Sequence, residues 1–120
     1  MKVRKQLTSE NSGAYRKRSK YGNKRCECDG YTFDSQKEYL HYLALRTQGV
    51  RALVVHPRFP ITISNQHGLT TKVCSVVLDF QYVDDDGRLR YIDVKGKDLP
   101  MSKLKRKMVE FQYGIKVELV

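Results

Sequence analysis

The sequence predicts an α/β or α+β domain in which two helices flank a mixed β-sheet. Two stretches of about a dozen residues show helical spacing of apolar side chains, and each ends at a glycine, Gly49 or Gly114. Between them lie three β-prone runs separated by turn-forming residues, and a further short run follows Gly114. The order of helix, three-stranded meander, helix and strand is typical of helices packed on a single sheet.

The first predicted elements are a β-hairpin and a helix. Two short β-prone segments flank Asp29-Gly30, a dipeptide typical of a type I′ turn. Ser35 then offers an N-cap and Glu38 stands three residues later, which together fit a capping box. The spacing predicts a helix over about 35–47. Its apolar face is predicted to comprise Leu40, Leu43, Ala44 and Thr47.

Three β-prone runs are predicted to follow. The first, 51–56, is succeeded by two prolines, which interrupt a hydrogen-bonded ladder and place this strand at a bend or an edge. The second, 72–83, is read as one long strand. Residues 84–87 are turn-forming, and 88–95 return as the antiparallel partner.

A second helix is predicted over about 101–112 and a last strand over 115–120. The strand, helix and strand from 88 onward fit a parallel crossover. One face of this helix is basic, and we expect it to be either solvated or in contact with phosphate. That face comprises Lys103, Arg106 and Lys107. The opposite face is predicted to pack in the core through Leu104, Met108 and Phe111.

Charge is concentrated at the N-terminus. The formal net charge is +10, and within residues 1–25 nine basic residues stand against a single acid, Glu10. We expect residues 1–24 to form a basic flexible arm and residues 25–120 a single domain. Interleaved tyrosines favour nucleic-acid binding over a merely solubilising tail. The candidate contacts are Arg16, Lys17, Arg18, Lys20, Lys24 and Arg25.

No apolar run approaches the roughly 20 residues of a membrane span, and three cysteines are too few for a disulfide scaffold. We expect a cytoplasmic protein without membrane contact. Cys26-x-Cys28 has the wrong spacing for a zinc knuckle, so zinc is not expected. His56 and His67 have no acidic partner nearby in sequence, and we expect structural or surface roles for both.

Two acidic residues stand inside apolar strand sequence. Asp79 follows Val-Val-Leu and Asp93 follows Tyr-Ile. If the turn centres on Asp85 and Asp86, the two acids lie nearly opposite each other across the hairpin. Opposed carboxylates repel unless a cation lies between them, and such oxygen ligands suit Mg²⁺, for which Mn²⁺ can substitute.

Lys95 shares the face of Asp93, because side chains two residues apart on a strand point the same way. Beside a metal, such a lysine can orient water and offset the charge of a phosphate. Val94 points to the opposite face, but its backbone carbonyl is a further candidate metal ligand. The alternative is an ordinary Asp–Lys pair on an exposed strand.

These residues resemble the PD-(D/E)XK nuclease superfamily. The resemblance covers residues 25–120 and rests on Ile-Asp-Val-Lys-Gly at 92–96, the isolated Asp79 before it and Glu38 on the preceding helix. Leu78 stands where the superfamily name has proline. The segments 33–38 and 111–115 are also similar to a small phage-encoded branch that includes junction-resolving endonucleases.

The resemblance implies a restriction-endonuclease-like core and a role for each site residue. Asp79 and Asp93 would bind metal, and Lys95 would position the attacking water. Glu38 would complete the site. Its competing role is to be the third residue of the capping box, and it would be free for the site if Asp34 were the true N-cap.

The function expected from these observations is a Mg²⁺-dependent DNA endonuclease acting on branched DNA of recombination or replication, as a Holliday junction resolvase does. A resolvase cuts two strands symmetrically, so a C2 homodimer is expected with it. Two alternatives stay open. One is a non-catalytic nucleic-acid-binding protein on a nuclease-like fold, and the other is a basic RNA-associated protein.

Overall fold

The computed structural model describes residues 25–120. The elements are β1 Cys26–Cys28, β2 Tyr31–Phe33, α1 Gln36–Gln48, β3 Arg51–Val55, β4 Arg58–Ser64, β5 Thr70–Val77, β6 Phe80–Val83, β7 Leu89–Asp93, α2 Pro100–Tyr113 and β8 Val117–Leu119. The predicted α+β class is confirmed. The candidate contacts of the N-terminal arm lie outside the described residues, namely Arg16, Lys17, Arg18, Lys20 and Lys24.

A four-stranded mixed sheet forms the centre of the described domain, in the order β3-β6-β7-β8. β3, β6 and β7 pair antiparallel, whereas β7 and β8 pair parallel through the predicted crossover over α2. β3 is an edge strand, and Pro57 separates it from β4. The strands β4 and β5 form a separate two-stranded sheet, called the ribbon below. Pro60 lies within β4 and has no backbone N–H to donate. The ribbon tolerates this proline because its two-stranded sheet has no third strand that would need the hydrogen bond.

The predicted single strand over 72–83 is wrong. The chain forms β5 and then β6, which belong to different sheets. The reason is an exchange of hydrogen-bond partners. The N–H of Leu78 donates to the carbonyl of Pro57 at 3.0 Å, whereas the N–H of Asp79 donates to the carbonyl of Ile92 at 3.1 Å. Asp79 therefore stands where the chain leaves the ribbon and joins the main sheet.

The turns and caps follow the sequence closely. Asp29 and Gly30 both have positive φ, 53° and 83°, as a type I′ turn requires. The side chain of Ser35 caps α1 by accepting the N–H of Glu38 at 3.1 Å. Gly49 ends α1 in the left-handed conformation, which costs glycine little.

Aromatic packing, rather than leucine spacing, orients α1. Tyr42 and Leu45 are the buried residues of the helix, and the ring of Tyr42 lies 5.1 Å from that of Phe33 and stacks near Phe80. The hydroxyl of Tyr42 donates to Asp29 at 2.7 Å, which fixes the ring. The predicted apolar face of α1 is therefore centred on the wrong residues. Of its four predicted members, Leu43 is half-buried, whereas Leu40, Ala44 and Thr47 are exposed.

The predicted core face of α2 is wrong for Leu104 and Phe111, whereas Met108 is half-buried and packs against the core. Val109 is the fully buried residue of this helix, whereas Leu104 and Phe111 are 52% and 92% exposed. The C-terminal turn sets the rotation of the helix, because the side chains of Gln112 and Tyr113 both donate to one carbonyl of the ribbon, at 3.2 and 2.6 Å. Neither described helix has the length and apolar character needed to cross a bilayer.

Two clusters of buried side chains lie on the described domain. The first brings Tyr42 of α1 against Phe80 and Ile92 of the sheet. The second brings Val109 of α2 against Leu78 and Val117 and the base of the ribbon. Since Leu78 belongs to the second cluster and Phe80 to the first, the residue between them is held from both sides. That residue is Asp79.

Candidate active site

Asp79 and Asp93 lie opposite each other at the end of the β6–β7 hairpin. Phe80 pairs with Ile92, so the next position along the hairpin sets Asp79 against Asp93. The register predicted from the turn is confirmed. The turn itself is tied by Asp84, whose carboxylate accepts two backbone N–H groups at 2.9 Å. A rigid turn and an unbroken register therefore place the two acids together.

Asp79 is held in a half-buried position by the backbone of the facing strand. Its Oδ2 accepts the N–H of Val94 at 2.6 Å, and its carboxyl group lies beside that of Asp93 on the paired strand. Burial, then the charge of Glu38 and the contact with Asp93, raise the pKa of Asp79 to about 8, although the Val94 N–H acts in the opposite direction. Because Asp79 and Asp93 lie side by side, a proton or a cation is favoured between their carboxyl groups.

Glu38 reaches this position from the first turn of α1. Ser35, not Asp34, is the N-cap, and its hydroxyl also lies 3.4 Å from Oε2 of Glu38. Capping uses the backbone N–H of Glu38, so its carboxylate can lie close to Asp79, and its role as a metal ligand stays a prediction. Burial is the main cause that raises the pKa of Glu38.

His56 is the site residue that sequence reasoning missed. Ligand atoms of Glu38, His56 and Asp79 all lie within 4.8 Å of one another, and these three residues are called the metal-capable group below. The backbone N–H of His56 donates to the backbone carbonyl of Asp79 at 2.9 Å, and His56 has a positive φ of 58°. The sequence predicted a structural or surface role for His56, and the structure places it among possible metal ligands. Its only sequence signal is its place before Pro57, where the strand is interrupted.

Asp93 and Lys95 form an ion pair beside the metal-capable group. Nζ of Lys95 lies 2.9 Å from Oδ2 of Asp93, and Asp93 is only 8% exposed. The backbone of the pair is fixed by Val120, the residue after β8, since the Lys95 N–H donates to the Val120 carbonyl and the Val120 N–H donates to the Asp93 carbonyl. On the other side, Nζ of Lys37 donates to the carbonyl of Lys95 at 2.8 Å.

The structure thus divides the predicted site into two adjoining parts. Glu38 and Asp79 belong to the metal-capable group with His56, whereas Asp93 contacts Asp79 but is paired with Lys95. Val94 supplies its N–H to Asp79, and the role of its carbonyl as a ligand stays a prediction. Two carboxylates and one imidazole at this separation fit a divalent cation, which would replace the proton that burial favours on Asp79.

The basic candidate residues within the described chain differ in whether they are already paired with an acidic side chain. Arg106 makes two bonds to Asp98, at 3.1 and 3.0 Å, and this ion pair is largely buried. Arg25 lies 3.6 Å from Asp34 in an exposed pair. Lys103 and Lys107 are exposed on α2. The side chains of α2 most available to an outside phosphate are therefore the two lysines rather than Arg106.

The cysteines and the second histidine stand apart from this site. The metal-capable group of the described chain includes none of the three cysteines, Cys26, Cys28 and Cys74. His67 is exposed at the tip of the ribbon.

Residues 18–119 match the family described as "Protein of unknown function (DUF1064)", which is most of the chain. The chain belongs to the DUF1064 family. The matched range takes in every described strand and helix of this DUF1064 protein, together with both parts of the site. No curated protein and no solved structure shows significant similarity to it.

Proposed function

We propose that this protein is a metal-dependent DNA endonuclease that hydrolyses phosphodiester bonds. The observation that carries the proposal is the position of Asp79. Its carboxyl group lies between two further acids, Glu38 and Asp93, with an imidazole and an ammonium group alongside. Such a concentration of partly buried charge is costly for folding and is typical of functional sites.

The metal-capable group is proposed to hold the cation. The carboxylates of Glu38 and Asp79 supply hard oxygen ligands suited to Mg²⁺ or Mn²⁺, and the nitrogen of His56 favours Mn²⁺ over Mg²⁺. When bound, the cation supplies activation of water and neutralisation of the phosphate. The backbone N–H of Val94 orients Asp79 for this task by fixing one of its oxygens.

Lys95 is proposed to bind and orient the groups that react. Its ammonium is held by Asp93, and its backbone is fixed by Val120 and Lys37. A cation fixed in this way stabilises negative charge that develops on a phosphate without reorganising at the moment of reaction. Phosphate esters hydrolyse so slowly unaided that an enzyme must supply on the order of 20 kcal/mol.

Two observations support DNA as the proposed substrate. The N-terminal arm is strongly basic in sequence, and the motif from Ile92 to Gly96 resembles that of junction-resolving endonucleases. On this basis we place the protein in the cytoplasm of the cell in which branched DNA intermediates form. Action as a resolvase carries with it the expectation of a C2 dimer.

The experiment that tests the proposal is cleavage of supercoiled plasmid and of a synthetic four-way junction. Wild-type protein is expected to nick one or both with Mg²⁺ or Mn²⁺ and to stop when EDTA is added. Glu38→Gln is expected to lose this activity, and Glu27→Gln, an exposed acid of β1, serves as the matched control. Binding of both DNAs without cleavage under any of these conditions would favour the non-catalytic alternative.

A further inference from the structure

The ribbon grows directly out of the candidate active site. β4 begins two residues after His56, and β5 ends two residues before Asp79. Two backbone hydrogen bonds close its base, from His56 N–H to the Asp79 carbonyl at 2.9 Å and from Leu78 N–H to the Pro57 carbonyl at 3.0 Å. Any surface that the ribbon rests on is therefore fixed relative to the metal-capable group.

Within residues 25–120, the base of the ribbon is the part that packs against the domain. Ile61 and Val76 are buried beneath α2, and the backbone N–H of Thr62 donates to Oε1 of Gln112 at 3.0 Å, but every residue from Thr62 to Val73 is exposed. Seven residues of β4 at about 3.3 Å each span about 23 Å. This length equals the rise of about six or seven base pairs of a DNA duplex.

The tip of the ribbon is internally braced. Oδ1 of Asn65 accepts the N–H groups of His67 and Leu69 at 2.8 and 3.0 Å, and the hydroxyls of Ser64 and Thr70 are bonded at 2.8 Å. A projecting hairpin with these bonds keeps its shape without help from a neighbouring element, so it can meet a partner preorganised.

The charge of the ribbon suits a polyanion. Residues 57–78 contain no acidic residue, although the chain has 13. The register shifts between Ile61 and Thr62, where the partner strand β5 carries one extra residue, Val73. Because β4 itself has no extra residue, Arg58, Thr62 and Ser64 share one face of β4, and Lys72 pairs with Thr62 on that face. This face thus presents two cations and several hydroxyls, all exposed. A two-stranded ribbon is also of a width that the major groove of DNA admits.

We propose that the ribbon binds a DNA duplex adjoining the cleavage site, with the face that carries Arg58 and Lys72 against the DNA and the tip about six base pairs from the scissile phosphate. The inference rests on the proposed endonuclease function and sharpens its substrate. The substrate would need a double-stranded segment on the ribbon side of the cut, and a single strand there would not satisfy the contacts.

The first test is the dependence of binding on duplex length. Fluorescence anisotropy in EDTA would follow wild-type protein on junctions whose arms vary from 3 to about 12 base pairs, a range set by the ribbon's length. Affinity is expected to rise until an arm reaches about seven base pairs and then to level off. A variant in which residues 63–71 are replaced by an Asn-Gly turn is expected to lose the rise between the short and the longer arms. An unchanged length dependence in that variant would overturn the proposal.

A point substitution keeps the test valid should the shortened hairpin misfold. Lys72→Glu is expected to weaken duplex binding about tenfold and to lower the slope of log affinity against log salt by about 1. Lys116→Glu, an exposed lysine outside the ribbon, is the matched control and is expected to change binding much less. Equal effects of the two substitutions would contradict a specific contact at Lys72.

Two further measurements distinguish DNA binding by the ribbon from catalysis at the active site and from self-association of the protein. Sedimentation of wild-type protein and the shortened variant tests whether exposed Ile63 and Leu69 instead join two copies. A change of oligomeric state with unchanged DNA affinity would overturn the proposal. Wild-type protein that shows the length dependence but cleaves no DNA would overturn the endonuclease and not the ribbon. If ribbon shortening left both DNA cleavage and DNA binding unchanged, the ribbon proposal would be overturned and the endonuclease proposal would not.

Discussion

Replacing Asp79 with asparagine is expected to stabilise the metal-free protein while removing its activity. The folded protein keeps a proton on Asp79 up to a pKa of about 8, whereas the unfolded chain releases that proton near pH 4. Between these values the folded state binds more protons than the unfolded state, so the stability of wild-type protein falls as the pH rises from about 4 to 8. An asparagine removes this cost and can still accept the N–H of Val94.

The size of the effect follows from the pKa. Each unit of pKa difference corresponds to about 1.4 kcal/mol, and about three units separate the ordinary pKa of aspartate from pH 7. The gain in the free energy of unfolding of Asp79→Asn is therefore expected to be near zero at pH 4, to approach at most about 4 kcal/mol at pH 7, and to level off above pH 8. In a domain of this size, 1 kcal/mol moves Tm by about 4–8 °C.

Urea and thermal unfolding in EDTA at pH 5, 7 and 9 measure this effect. Asp86→Asn, in an exposed turn, is the control and is expected to stay within about 0.5 kcal/mol of wild type at each pH. Addition of Mn²⁺ at a hundred times its Kd is expected to stabilise wild type by about 2.7 kcal/mol and to leave Asp79→Asn unchanged. A variant less stable than wild type at pH 7, or a difference independent of pH, would refute the assignment of Asp79 as a carboxylate destabilised by burial.

Three other predictions test Lys95, His56 and the packing of the core. Lys95→Met is expected to lower kcat on the order of 10²- to 10³-fold with little change in KM for DNA, and a rise in KM alone would contradict its role in the reaction. His56→Asn is expected to weaken Mn²⁺ binding in calorimetry more than Mg²⁺ binding, and equal losses would argue against a nitrogen ligand. Phe80→Ala is expected to cost about 3–5 kcal/mol in urea unfolding, whereas Phe111→Ala, at 92% exposure, is expected to change stability by less than about 0.5 kcal/mol; similar losses would contradict the packing of α2.

The local signals in the sequence were sufficient for the hairpin that carries the two acids. The turn at Asp84 to Gly87 sets the register of β6 and β7, and period two then places Asp93 and Lys95 on one face. Caps at Ser35 and Gly49 likewise define α1 to within one residue. Each of these features depends on residues close together in the chain.

The features that the sequence did not predict depend on contacts between distant elements. His56 joins the site because Glu38 and Asp79 are brought to it from α1 and from the end of the ribbon. The division between β5 and β6 follows from hydrogen bonds to two different strands. The rotation of α2 depends on Gln112 and Tyr113 meeting the ribbon, which no helical periodicity encodes.

The most direct test of the central claim compares cleavage and binding by Asp93→Asn. Asp93 holds Lys95 and contacts Asp79, yet it lies buried at the end of β7, away from the proposed ribbon contacts. With Mg²⁺ or Mn²⁺ present, wild-type protein is expected to nick plasmid or four-way junction DNA, and Asp93→Asn is expected to bind the same DNA with unchanged affinity and to cleave none of it. Cleavage by Asp93→Asn at the wild-type rate would contradict the site described here.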